Sequence, residues 1–282
     1  MGIWIQRETT LALSVIVALS VLTASCGESQ DADLQQWKLP LDEYRNADTA
    51  NNEWAENVLT AECMAAKGLE YRFVEPRDFG AVWNDEGRRL FDEDVAEEYG
   101  YHTDPPHYAA IESSEWNSRL AAEDPRWTES YDSCFAEVRA ELPVPDKLMY
   151  ADLMGADAYR MALEDEAVLA AAEEWRSCFS DETSISVSVD PDEMPTIELA
   201  EEFSLYDDEI APSPITDRER EVAGADARCR ASTGYTKELY EAEVGFQRDF
   251  MEERASELVE VRRVVQAYEG RAEDVLHDRG LI

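Results

Sequence analysis

The sequence predicts an all-α protein: a multi-helix body with a long C-terminal helix, at most short strand segments, and two disulfides. Three observations carry that expectation. Apolar residues recur at spacings of three and four along most of the chain from Asp48 to Glu269, the period of a helix with one buried face. Only Ser184–Val189 alternates in the manner of a strand. Four cysteines, Cys63, Cys134, Cys178 and Cys229, sit within or beside the helical patterns, and no C-x-x-C pair occurs.

The elements follow in order. Trp54, Val58, Ala61 and Ala65 form the first stripe, widened by Leu59 and Ala66, and Gly68 stops it as a left-handed terminator. Leu69–Val74 reads as a short extended segment closed by Pro76. A second helix is expected over Glu86–Tyr99 with Leu90, Phe91, Val95 and Tyr99 on one side, ended by Gly100 and Pro105-Pro106. Helices are expected next over 107–122 and 126–141, the latter led in by Asp124-Pro125, then over 147–162 and 165–180. Prolines at 191, 195, 212 and 214 punctuate an acidic connection. Thr216-Asp-Arg-Glu219 is a capping box opening a helix that carries Cys229 and is interrupted at Thr233-Gly234. From Tyr235 the pattern runs to Glu269, a single helix of about 52 Å, long against a radius of gyration near 18 Å for a compact body of this size. Gly270 then separates a last turn with Val275 and Leu276.

Charge narrows the function. Asp and Glu number 64 against 25 Lys and Arg, a formal −39 over 282 residues, which excludes nucleic acid as a partner because phosphates are held by bases. With 44% hydrophobic residues, seven Trp and twelve Tyr, the chain has material for a core and is not expected to be disordered.

The N-terminus supplies the most specific signal. Leu11–Val21 is an apolar run of signal-peptide length preceded by Arg7, and Leu22-Thr23-Ala24-Ser25-Cys26-Gly27 resembles a bacterial lipobox, with Thr23 where Leu is more usual. An uncleaved anchor and an ordinary secretory signal are the alternatives. Lipidation of Cys26 would attach diacylglycerol, with a further acyl chain such as palmitate, and two chains give stable anchoring where one does not. The chain then divides into a signal peptide (1–25), a lipidated tether (26–47), a helical body (48–180), the acidic connection (181–215) and a C-terminal helical segment (216–282). Residues 26–282 keep 24 bases against 63 acids, still −39, on the outer face of the cell membrane.

With Cys26 assigned, the other four cysteines form an even set for two disulfides, in any of three pairings. Cys63 and Cys229 each precede a Gly by five residues, and Cys134 and Cys178 each precede Phe, a faint trace of duplication. His102, Asp104 and His107 are weak metal candidates, imidazole with carboxylate across two prolines. The acidic clusters lack the glycine and the alternation of an EF-hand loop, and no phosphate loop, nucleophile elbow or H-E-x-x-H helix is present. No cofactor beyond the covalent lipid is expected.

Cys26, CMAAKGLEY, EYGYH, Trp175-x-x-Cys178 and ADARCRASTGY together resemble a loose group of uncharacterised lipoproteins of high-GC Gram-positive (actinobacterial) bacteria. The resemblance covers most of residues 26–282 and departs at Cys178, where Phe follows in place of the more usual Met. It implies an anchor and structural cysteines, and carries no activity. Arg outnumbering Lys 21 to 4 agrees with GC-rich coding. The sequence thus points to a non-catalytic envelope-associated binding protein whose partners are the membrane, through its anchor, and an envelope protein or cell-wall component. A cell-wall-polymer hydrolase using paired carboxylates and a cation-buffering surface protein are the alternatives.

Overall fold

The computed structural model describes residues 37–46, 49–75, 91–102, 108–205 and 214–282. Among them the chain forms ten α-helices and two 3-10 turns, with no strand. The helices are α1 (Thr49–Ala66), α2 (Glu93–Tyr99), α3 (Tyr108–Glu123), α4 (Arg126–Glu141), α5 (Tyr150–Leu163), α6 (Glu166–Thr183), α7 (Ile197–Glu202), α8 (Asp217–Ser232), α9 (Tyr235–Glu253) and α10 (Ala255–Asp278).

The C-terminal segment is the spine. α10 packs along α1, and α1 in turn packs on α4, burying Trp54, Val58, Leu59, Val138, Val275 and Leu276 together. α9 lies between α5 and α6, where Val168, Ala171, Tyr235, Leu239 and Tyr240 close a second core that also takes Trp37 and Leu39. α8 fills the space between α2 and α6, and its buried face of Val222, Ala223, Ala225, Ala227 and Cys229 is made of small residues that let neighbouring helices approach closely.

Helix ends follow local chemistry. Gly68 adopts φ +75° and the Leu69 amide returns to the Met64 carbonyl, closing α1. Asp92 opens α2 by accepting from the Val95 amide, and Asp165 opens α6 by accepting from Ala167. Residues 86–90 of the expected second helix lie outside the described residues. Asp124 accepts from the Arg126 amide ahead of α4. The segment after α1, expected to be extended, forms neither helix nor strand. It is held by side chains in place of a neighbouring strand: Asn117 of α3 both accepts from the Arg72 amide and donates to its carbonyl, and the Trp127 indole donates to Glu70.

Four expectations are corrected. The helix from Tyr235 is not continuous, because Arg254 (φ −120°, ψ 23°) ends α9 and α10 begins at the next residue. The bend lets the apolar stripe change partners, from α5 and α6 to α1, around a corner core of Leu41, Met154 and Leu258 flanked by Phe250 and Met251. Gly270 is interior to α10 and does not break it; a Cβ there would meet nothing within 4 Å. Ser184–Val189 forms no strand. Its alternation is nevertheless real, since Ile185 and Val187 turn toward the Trp175 and Phe179 core while Ser186 and Ser188 face outward. Beyond it, the stretch read as a loose acidic connection contains a 3-10 turn (Pro191–Glu193) and α7, which bury Pro191, Leu199, Ala200 and Phe203.

Candidate functional site

Two places concentrate chemistry among the described residues: a buried polar centre joining α2, α6 and α8, and a shallow groove beside α10.

The buried centre grows out of α8. Thr216 accepts from the Glu219 amide, half of the expected capping box. The other half fails, because the Glu219 carboxylate does not return to the cap. Fully buried, it instead crosses to the turn after α2, where its Oε1 accepts from the Tyr101 amide at 2.9 Å and from His102 Nδ1 at 2.8 Å. Gly100 makes room for it: at φ +57° and ψ −128°, with an added Cβ falling 2.3 Å from Glu219 Oε1, the position admits only glycine. Two turns further along α8, fully buried Asp226 accepts from the Trp175 indole (2.9 Å), the Tyr101 hydroxyl (3.1 Å) and both Arg230 Nε and Nη2 (2.7 and 3.0 Å). Arg230 also donates to the Pro191 carbonyl and lies over the Phe91 ring. Burial would lower the Arg230 pKa, yet Asp226, with Tyr101 and Tyr235, holds it above its ordinary value. Burial, reinforced by Asp226, pushes the Tyr101 hydroxyl well above the usual phenol range. Asp192 is raised by burial and accepts from the Tyr235 hydroxyl at 3.3 Å. A carboxylate that orients a histidine through Nδ1 is a pairing used by catalytic and metal-binding histidines alike. Here His102 Nε2 is itself enclosed, so the pair acts as a clasp between α2 and α8.

The groove runs between the Pro143–Asp146 turn and α10. About 360 Å³ in volume, it has an apolar floor of Pro143, Val144, Pro145, Val264 and Ala267, with Arg263, Arg271 and Asp146 around it. Arg271 is anchored by donating to the Pro143 carbonyl and sits beside the Tyr268 ring. Arg263 is held by Glu260 through two hydrogen bonds of 2.8 and 2.9 Å, so the charged rim of the opening is close to balanced between Arg271 and Asp146.

The cysteines resolve into Cys63–Cys134 (α1 to α4) and Cys178–Cys229 (α6 to α8), with Cα–Cα distances of 5.6 and 5.7 Å. Each bridge joins one cysteine of the C-x₄-G kind to one followed by Phe. Glu182 has a carboxylate oxygen within 4.8 Å of both Cys178 and Cys229 sulfurs, a spacing that would suit a metal, but the two sulfurs are spent on each other. Of the weak metal candidates, His102 is engaged by Glu219, while Asp104 and His107 lie outside the described residues, as does Cys26.

Sequence reasoning missed the Glu219, Asp226, Arg230 and Trp175 set. A signal for part of it was present: Asp226 and Arg230 stand at i and i+4, the spacing of an intrahelical charge pair, beside Ala223, Ala225 and Ala227. Nothing local marks Glu219 as a long-range acceptor 118 residues from its partner. The fold and the two bridges define a disulfide-tied all-α protein. No protein family, curated protein or solved structure matches the chain.

Proposed function

We propose that this is a lipid-anchored, envelope-associated binding protein, held at the outer face of the cell membrane by diacylglycerol on Cys26 and acting without catalysis, of the kind seen in uncharacterised actinobacterial lipoproteins. The observation that carries the reading is the state of the cysteines. All four in the body are consumed in two helix-to-helix bridges, a state typical of an oxidising compartment, and the one left over is the cysteine of the lipobox. No helix among the described residues is long and apolar enough to cross a membrane. Two acyl chains on Cys26 would be enough for stable attachment. The −39 charge then belongs to a body standing beside an anionic surface, which repels it over about one Debye length of 8–10 Å at moderate salt.

The binding half of the reading is supported by the division of labour in the structure. The buried acids serve as ties between helices, whereas the groove over Val264 and Ala267 is an open concave surface. The test is crosslinking on intact cells followed by membrane fractionation. The wild-type chain is expected in the membrane fraction with a crosslinked envelope partner, and Cys26→Ala is expected to lose both. Retention of Cys26→Ala in the membrane with its partner unchanged would refute the anchor. A measured hydrolysis of wall polymer that disappears on deletion would refute the non-catalytic reading.

A further inference from the structure

Both disulfides share an asymmetry. In Cys63–Cys134, Cys134 is fully buried while Cys63 is partly exposed; in Cys178–Cys229, Cys229 is fully buried and Cys178 is partly exposed. Each bridge also has a carboxylate fixed beside it, one helical turn beyond the cysteine that precedes Phe. Glu137 Oε2 stands 3.8 Å from Cys63 Sγ, held near Lys67 (3.8 Å) and Ser133 (3.3 Å). The Glu182 carboxylate lies within 4.8 Å of both sulfurs of the second bridge, held by Arg228 at 2.8 Å. Two bridges joining different helices carry the same constellation of an accessible sulfur, a buried sulfur, an acid and a cation.

Thiol–disulfide exchange requires a thiolate to approach one sulfur in line and expel the other as a thiolate. Only the accessible sulfur can be approached, so the group expelled is the buried one, and apolar burial makes a thiolate a poor leaving group. An anionic attacker is further opposed by the carboxylate. We infer that Cys63 and Cys178 are the sole entry points for low-molecular-weight thiols, and that Glu137 and Glu182 select against those whose R group carries a further negative charge. In the forward step a thiolate RS⁻ bonds to Cys178 Sγ, the Cys178–Cys229 bond breaks, and Cys229 leaves as a thiolate that takes a proton. A second RS⁻ then attacks the sulfur of the R group, releasing Cys178 as thiolate and RSSR as the oxidised product. The first bridge follows the same course through Cys63 and Cys134. The rest of an acidic body adds to the discrimination, while the two glutamates localise it.

The test compares the full chain with Glu182→Gln and Glu137→Gln, treating each with 2-aminoethanethiol (cationic) and 2-mercaptoethanesulfonate (anionic). Bridge loss is followed by acid quenching and peptide mapping, which reports every cysteine separately. Both acids are on the surface, and circular dichroism checks that the variants keep their helices. Removing one charge about 5 Å from the reacting sulfur leaves the neighbouring cation unopposed, so the local charge still changes by one. The ratio of cationic to anionic rates at the affected bridge should fall about fourfold at moderate salt, and the difference should shrink toward unity near 1 M salt. The other bridge in the same molecule serves as an internal control and should keep its ratio. Mixed disulfides should be found on Cys178 and Cys63. Adducts formed equally on Cys229 and Cys134, or an unchanged rate ratio in both variants, would overturn the inference; the rate ratio decides where adducts do not accumulate.

Discussion

Substituting Gly100 by alanine tests the clasp between α2 and α8. The residue holds φ +57° and ψ −128°, a conformation in which a side chain costs about 1–3 kcal/mol. The new Cβ would lie 2.3 Å from Glu219 Oε1 and 2.8 Å from its Cδ, so the carboxylate must move. It has little freedom to do so, being fully buried and held by the Tyr101 amide and His102. Displacing it leaves buried donors unpaired, a further loss of about 1–3 kcal/mol. The expected destabilisation is therefore about 2–6 kcal/mol, read as a drop in the urea midpoint with both disulfides intact. Gly234→Ala is the matched control. Gly234 also has positive φ (+75°), but a Cβ there meets nothing within 4 Å, so only conformational strain of about 1–2 kcal/mol applies. If Gly100→Ala costs no more than Gly234→Ala, the clasp does not hold α2 to α8.

Other consequences follow from the same contacts. Asp226→Ala would leave the Arg230 charge and the Trp175 indole without their buried acceptor, and should cost about 3–5 kcal/mol by denaturant titration, against little change for the exposed pair partner Asp157→Ala. Replacing either cysteine pair by serine opens a loop of 71 or 51 residues, for which chain entropy gives about 4 kcal/mol each; a loss below about 1 kcal/mol for both would deny the bridges a stabilising role. Stability should rise as pH falls from neutral toward the carboxylate range. Burial raises the pKa of Glu56 despite Arg139 and Tyr268, so above its unfolded value the folded state binds more protons than the unfolded one, and charging the group at higher pH is destabilising. Glu56→Gln should flatten that slope, and an unchanged slope in urea midpoints from pH 5 to 8 would remove Glu56 as its source. Glu62, lowered by its hydrogen bonds from Arg279, works oppositely, and its contribution is lost only as the pH falls below the ordinary carboxylate range.

How far the sequence reveals this protein depends on whether the governing contact is local. Helix identity is local: the Trp54, Val58, Ala61 stripe and the Gly68 stop lie within one another's reach, and α1 ends where they place its end. The bend at Arg254 is not, since neither Gly nor Pro marks it and its cause is a change of packing partner from α5 and α6 to α1. Gly270 misleads for the complementary reason, because a glycine inside a well-packed helix costs only about 1 kcal/mol and tertiary contacts along α10 exceed that. Ser184–Val189 carries a true alternation of faces without a neighbouring strand, so periodicity reports burial and not pairing. Glu219 is the sharpest case. Its sequence context is that of a capping box, and the Thr216 half forms, but a backbone amide on a distant turn competes successfully for the carboxylate. The pairing of the cysteines likewise required the fold, although the shared C-x₄-G and Cys-Phe contexts were visible and each bridge proves to join one of each.

The proposed lipid anchor rests on Cys26, and the mass of the N-terminal peptide of the protein recovered from the membrane fraction tests it most directly. The expected peptide begins at Cys26, lacks residues 1–25, and carries the added mass of diacylglycerol with or without a further acyl chain. An unmodified Cys26 within a peptide that retains residues upstream of it, or a mature N-terminus elsewhere, would contradict it.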